Sequence, residues 1–181
     1  INPEMPSRTD TFGHTLYVLE FIDHLLKSAN SKQKTLHAHQ HLVDDARLLI
    51  NNFPIDWQAL SENPVCFGRP TLSLLKLAIL YHDTGKSKKL PVQHGPTLRF
   101  PGHESDSVEL VEKRGRALIL ANREISWLKK LVASHMLPRS LEHVKTEDLS
   151  RNLFRLFQSA DNTTPFLACF YLADVFGAYG T

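Results

Sequence analysis

The stretch "LAILYHDTGK", residues 77 to 86, runs an apolar segment straight into His82 and Asp83. An imidazole and a carboxylate at the end of a buried segment are costly unless a neighbour compensates their charge. Other His and Asp residues also fall on apolar stripes. His14 shares a helical face with Val18, Phe21, Ile22 and Leu25. His135 extends the stripe Leu128, Leu131, Val132, and Asp161 follows Phe154 and Phe157. His103 opens a segment whose inward face continues through Ser107, Leu110 and Val111. A lone histidine on such a face is more often a satisfied core residue than a ligand, but a carboxylate is rarely buried without a partner. Inward His or Asp positions on five separate helices share one economical compensation, a divalent metal, for which both groups are good ligands. His82 and Asp83 stand about 100° apart around a helix, so both can reach one centre near its end.

Helical periodicity dominates the elements that must position these groups, and no stretch shows sustained β alternation with hairpin turns. The pattern predicts seven helices, at roughly 11–29, 34–52, 71–83, 104–121, 123–137, 147–161 and 164–178. "NPVCFGRP" before the third and "PVQHGPTLRFPG" after it carry the Pro and Gly that break helices. Pro70 just ahead of the third helix and Gly85 just past its end follow the usual asymmetry of helix boundaries. The expectation is an all-α chain, a single compact helical domain over residues 1–181 with a metal site in its bundle.

A chain of 181 residues suits one domain with a substantial core. Its 42% hydrophobic and 22% charged residues exclude a disordered chain, and a net charge of +2 gives no strong electrostatic case for nucleic acid. Two cysteines, Cys66 and Cys169, are too few for a disulfide framework and fit a reduced, cytoplasmic setting. No apolar run reaches the ~18 residues of a membrane span, and no signal peptide opens the chain. Starting at Ile1 with the loop-like "NPEMPSR", the sequence reads as a piece or single-domain relative of a longer protein.

In order along the chain, "GHTLYVLEFIDHLL", "LAILYHDTGK", "FPGHESDSVELVEKRGRAL", "LVASHMLP" and "LFQSADN" resemble the HD superfamily of metal-dependent phosphohydrolases. "HDTGK" with "GHE" before a helix looks more narrowly like the HD domain of bacterial tRNA nucleotidyltransferases and poly(A) polymerase-like proteins. The resemblance implies that His14, His82, Asp83 and Asp161 hold a first metal. It implies that His103 and His135 bind a second, with Asp83 bridging. Asp174, after Leu167, Phe170 and Tyr171, competes with Asp161 on spacing, and "SADN" at a helix end favours Asp161 by family position. The nucleotidyltransferase head, with its Gly-Ser loop and paired aspartates, has no counterpart here, and residues 30–69 read as an inserted or variable segment.

The activity so implied is hydrolysis of a nucleotide, cyclic nucleotide or RNA-end phosphate by a metal-activated water. The metal would be Mn, Mg, Ni, Fe or Zn, one or two per chain. Asp83 and Lys86 are the catalytic candidates, and Lys86 with Thr84 the substrate-binding ones. A lysine at a helix C-terminus is also what the helix dipole favours in solvent. The rival function is a vestigial module that binds RNA or docks a nucleotidyltransferase domain. No "GYP" follows His135, which argues against the cyclic-di-GMP phosphodiesterases bearing that signature. His37 and His41 in "HAHQH" are four apart but lack a carboxylate motif, His24, His39, His94 and His143 have no constellation, and Glu104 is a candidate to orient His103.

Overall fold

The structure, a computed structural model, describes residues 11–26, 40–52, 54–66, 68–95 and 97–179. In order these form α1 (Thr11–Leu26), α2 (Gln40–Asn51), α3 (Trp57–Glu62), α4 (Thr71–Tyr81) and a 3₁₀ turn (Thr84–Lys88). A hairpin of β1 (Val92–His94) and β2 (Thr97–Arg99) precedes α5 (His103–Ala117) and α6 (Asn122–Ser134). A second 3₁₀ turn (Pro138–His143), α7 (Thr146–Ala160), a third turn (Asp161–Thr163) and α8 (Thr164–Tyr179) follow. The fold is all-α apart from that hairpin.

Helix α4 is the centre because it is apolar on nearly every face. Leu74, Leu75, Ala78 and Ile79 are buried, and the helix packs on α1, α3, α5 and α6. Helix α1 presents Val18, Phe21, Ile22 and Leu25 inward, at the spacing of one helical face. It packs most extensively on α8, whose Phe166, Leu167, Phe170 and Ala173 are buried. Each fully buried Leu or Phe contributes about 1.5–3 kcal/mol by leaving water. Cys66 and Cys169 are both free, and burial pushes the Cys169 thiol up to about 12, so it behaves as a small apolar side chain. Among the described residues no helix is long and apolar enough to cross a membrane.

Two elements went unread in the sequence. Helix α3 forms within the Pro-marked segment because the Asp56 side chain accepts the Ala59 N–H at 2.9 Å and caps it. The hairpin pairs Val92 with Arg99 and His94 with Thr97, turning at Gly95 (φ 59), and three residues per strand are too few for alternation to register. Helix α5 stops at Ala117 rather than near 121 because Ile119 takes a positive φ of 55°. His37 and His39 lie outside the described residues.

Candidate metal centre

Five of the elements end or turn toward one point. His82 follows the last residue of α4 and keeps helical backbone angles (φ −56, ψ −40), while Asp83 breaks away (φ −103, ψ 0) into the 3₁₀ turn. His103 is the first residue of α5, His135 follows α6, and His14 and Asp174 lie inside α1 and α8. His82, Asp83, His103 and His135 are all buried.

The histidine rings are oriented from behind by backbone. The Nδ1–H of His82 donates to the Ile79 carbonyl at 2.7 Å, that of His103 to Phe100 at 2.8 Å, and that of His135 to Val132 at 2.7 Å. A carbonyl only accepts, so each Nδ1 carries the proton and each Nε2 faces forward. All three Nε2 atoms are buried; those of His82 and His103 face carboxylate oxygens, and that of His135 has no hydrogen-bond partner. Orphaned buried polar atoms are rare and call for an occupant.

Carboxylates stand among these nitrogens. Asp83 Oδ1 lies 3.1 Å from His103 Nε2, and Asp83 Oδ2 lies 3.4 Å from His82 Nε2. Asp174 Oδ1 lies 2.9 Å from His14 Nε2 and 3.5 Å from His82 Nε2. Two groups of donor atoms, each within 4.8 Å of one another, result: His14, His82 and Asp83, and Asp83, His103 and His135. Asp83 belongs to both. Phe170 closes the inner side, its ring 5.1 Å from His82 and stacked 6.0 Å from His135.

Charge is balanced internally. Burial lowers the His82 pKa, but the Asp83 and Asp174 carboxylates outweigh it and raise the pKa to about 10. Burial and the cationic His82 lower His135 to about 4. Burial works against the Asp83 and Asp174 carboxylates too, yet the facing imidazoles hold both below the ordinary range. The Nε2 array with two ionised carboxylates fits a divalent cation of the borderline type.

Asp161, expected in the first metal group, lies apart from the cluster. It sits at the C-terminus of α7 with φ 47 and ψ −128, its side chain 68% exposed and 3.2 Å from Lys130 Nζ. It opens onto a separate surface cleft with Arg123 and Lys130. The stripe thought to carry it inward faces solvent, for Phe154 and Phe157 are 60% and 51% exposed. The equivalent stripe on α8, Leu167 and Phe170, is buried, and it carries Asp174 into the cluster. The burial of α8 was the available signal, since α8 is apolar on most faces whereas α7 is strongly two-sided.

The HD domain family matches residues 11–179. The chain belongs to the HD domain family. HD domains are generally metal-dependent phosphohydrolases, and their members bind divalent metals. No curated protein matches the chain.

Around the HD domain's cluster, Lys86 pairs with Asp83 Oδ2 and lies 5.8 Å from the Phe100 ring centre. It lines a cleft of about 430 Å³ with Thr11, Asp83, Thr84, Ser87, Phe100 and Leu110. Thr84 lines the same cleft, but its hydroxyl donates to the Tyr81 carbonyl at 2.7 Å, which commits its proton to the turn. Glu104 Oε2 is 3.6 Å from His103 Nδ1, beyond hydrogen-bond distance, and Phe100 orients that ring instead. Lys88 and Lys89 face α5 carboxylates, Lys89 lying 2.7 Å from Asp106 and Lys88 3.7 Å from Glu109.

Proposed function

We propose that this HD domain hydrolyses a nucleotide, cyclic nucleotide or RNA-end phosphate, using one or two divalent ions held by His14, His82, Asp83, His103, His135 and Asp174. The observation that carries this reading is the set of buried, forward-facing imidazole nitrogens gathered around carboxylates in two groups that share Asp83. The predominance of nitrogen donors favours Mn, Fe, Ni or Zn over Mg. When bound, such an ion supplies Lewis acidity and activates water for attack on phosphorus.

The chain's own groups do the rest. Lys86 stands at the cleft beside Asp83 and is the cation available to a phosphate oxygen there. Its pairing with Asp83 keeps the ammonium in place before substrate arrives. Thr84 holds the turn that carries Lys86 and offers a substrate only its oxygen lone pairs. Phe170, fully buried behind His82 and His135, keeps bulk water from the inner side.

The test is elemental analysis of the purified protein together with turnover of 2′,3′-cyclic nucleotides and a generic phosphate ester under added Mn²⁺, Ni²⁺ or Mg²⁺. One or two metal ions per chain with turnover, both lost in Asp83→Ala, is the expected result. An Asp83→Ala variant with unchanged metal content would sink the site assignment. A second reading, a vestigial module that docks a nucleotidyltransferase domain of a longer chain or holds RNA, draws support from the exposed Phe154 and Phe157 on α7. Failure to take up any metal on reconstitution would put that reading in first place. The two free cysteines are compatible with a cytoplasmic home for either.

A further inference from the structure

Helix α5 begins without a side-chain cap, since Gly102 precedes it (φ 77) and offers none. Its first residue is His103, so whatever fixes the first turn of α5 also fixes the distance from His103 to Asp83. One buried bond ties that first turn directly to the turn that follows Asp83. Ser107, fully buried one turn after His103, accepts the Gly85 N–H through its Oγ at 2.9 Å. Gly85 lies in the 3₁₀ turn (Thr84–Lys88) that follows Asp83 and carries Lys86.

The two backbones touch at this point. A Cβ on Gly85 would stand 2.1 Å from the His103 carbonyl oxygen and 2.7 Å from the Ser107 nitrogen, so only glycine admits the approach. The ion pairs of Lys89 with Asp106 at 2.7 Å and Lys88 with Glu109 at 3.7 Å lie at the rim of the same junction. Surface pairs of this kind contribute little.

We infer that Ser107 is a positioning residue for one half of the metal cluster. Through Gly85 it holds His103 against Asp83, and so sets the group Asp83, His103 and His135. The other group, His14, His82 and Asp83 with Asp174, is built from α1, the end of α4 and α8, and Ser107 bonds none of them. Asp83 is common to both groups, so loss of the Ser107 hydroxyl, acting through His103, loosens the position of Asp83, His103 and His135 more than the other. The division into two metal positions rests on the function proposed above; the Gly85–Ser107 link to His103 does not.

The experiment compares wild type, Ser107→Ala, Ser107→Cys (similar in size, a weaker acceptor) and Thr163→Val. Thr163 is a control: its fully buried hydroxyl donates to the Ala160 carbonyl at 2.5 Å, away from this junction. Metal-free proteins are titrated with Mn²⁺ by calorimetry, and amide exchange at Gly85 and the ¹⁵N ring signals of the histidines are followed by NMR. In Ser107→Ala the Gly85 amide should lose protection, the His103 ring signals should move and those of His14 should not. One of the two Mn²⁺ steps should lose about 10- to 100-fold in affinity, the range for removing a group that orients a ligand, with the other step changed less. Ser107→Cys should fall between, and Thr163→Val should alter neither step. Unmoved His103 signals after loss of Gly85 protection would overturn the inference, as would equal weakening of both steps matched by Thr163→Val. A wild type that binds a single Mn²⁺ would refute the two-metal reading alone; the ring signals would then decide the role of Ser107.

Discussion

His14 Nε2 and Asp174 Oδ1 lie 2.9 Å apart although 160 residues separate them. Their contact joins α1 to α8, the pair of helices that share the most extensive packing in the fold. It brings a carboxylate to the open side of His82, where His82 Nε2 is 3.5 Å away. The closure completes the half of the site built around His14 and His82.

Asp174 and Asp161 should therefore separate cleanly on mutation. Asp174→Ala removes a carboxylate whose partners are His14 and His82, and it should abolish metal retention through dialysis. Asp161→Ala, at an exposed side chain paired with Lys130, should leave metal content unchanged and shift stability by less than about 1 kcal/mol. Elemental analysis of the two variants decides between them, and metal loss in Asp161→Ala alone would reverse the assignment.

Lys86→Ala should bind metal with the stoichiometry of wild type and turn over phosphate esters about 100-fold more slowly, the scale for losing a group that stabilises developing charge. Lys86→Arg keeps the cation and should recover part of the rate. Kinetics with metal content measured on the same samples provide the check. Equal rates for wild type and Lys86→Ala would remove Lys86 from the chemistry.

Metal uptake should expel a proton. Without metal, His82 titrates near 10 and is cationic at pH 7.5, whereas His135, near 4, is already neutral. A cation at the cluster must displace the proton on His82, so calorimetry in buffers of different ionisation enthalpy should show release of about one proton per chain at that pH. Release of none would mean that His82 is neutral before metal arrives.

The same groups set how stability varies with pH in the metal-free protein. His82 has a folded pKa raised above its ordinary 6.5, so its contribution is complete below 6.5 and is lost as pH rises through about 10. His135 has a folded pKa lowered from 6.5, so the unfolded chain binds more protons as pH falls from 6.5 toward 4, and stability falls there too. Thermal melts should peak between these limbs, near pH 6–7 on the scale of an ordinary imidazole. A metal-free melting temperature that still rises from pH 7 to 10 would contradict the charge state assigned to His82.

Gly85→Ala should destabilise the fold by about 1–3 kcal/mol or more, because the new methyl meets the backbone of α5 rather than a movable side chain. Denaturant unfolding measures it. A neutral substitution would show that the 3₁₀ turn and α5 are not in contact as described.

The sequence by itself determined the helical fold and most of the cluster. Apolar spacing is local information: it places Val18, Phe21, Ile22 and Leu25 on one face of α1, and His14 on that face with them. The unbroken apolar run of α4 likewise requires burial, which makes His82 and Asp83 conspicuous at its end. Short elements with few apolar positions, such as α3 and the hairpin, left no period to read. Tertiary structure alone shows that Asp174 lies at the cluster and Asp161 outside it, since each follows aromatic residues at helical spacing and only packing shows whether that stripe is covered. It also decided that Ser107 meets Gly85 across 22 residues and that the forward nitrogens of His82, His103 and His135 converge. Those relations depend on how separate helices pack against one another, and spacing within each helix carries no record of that.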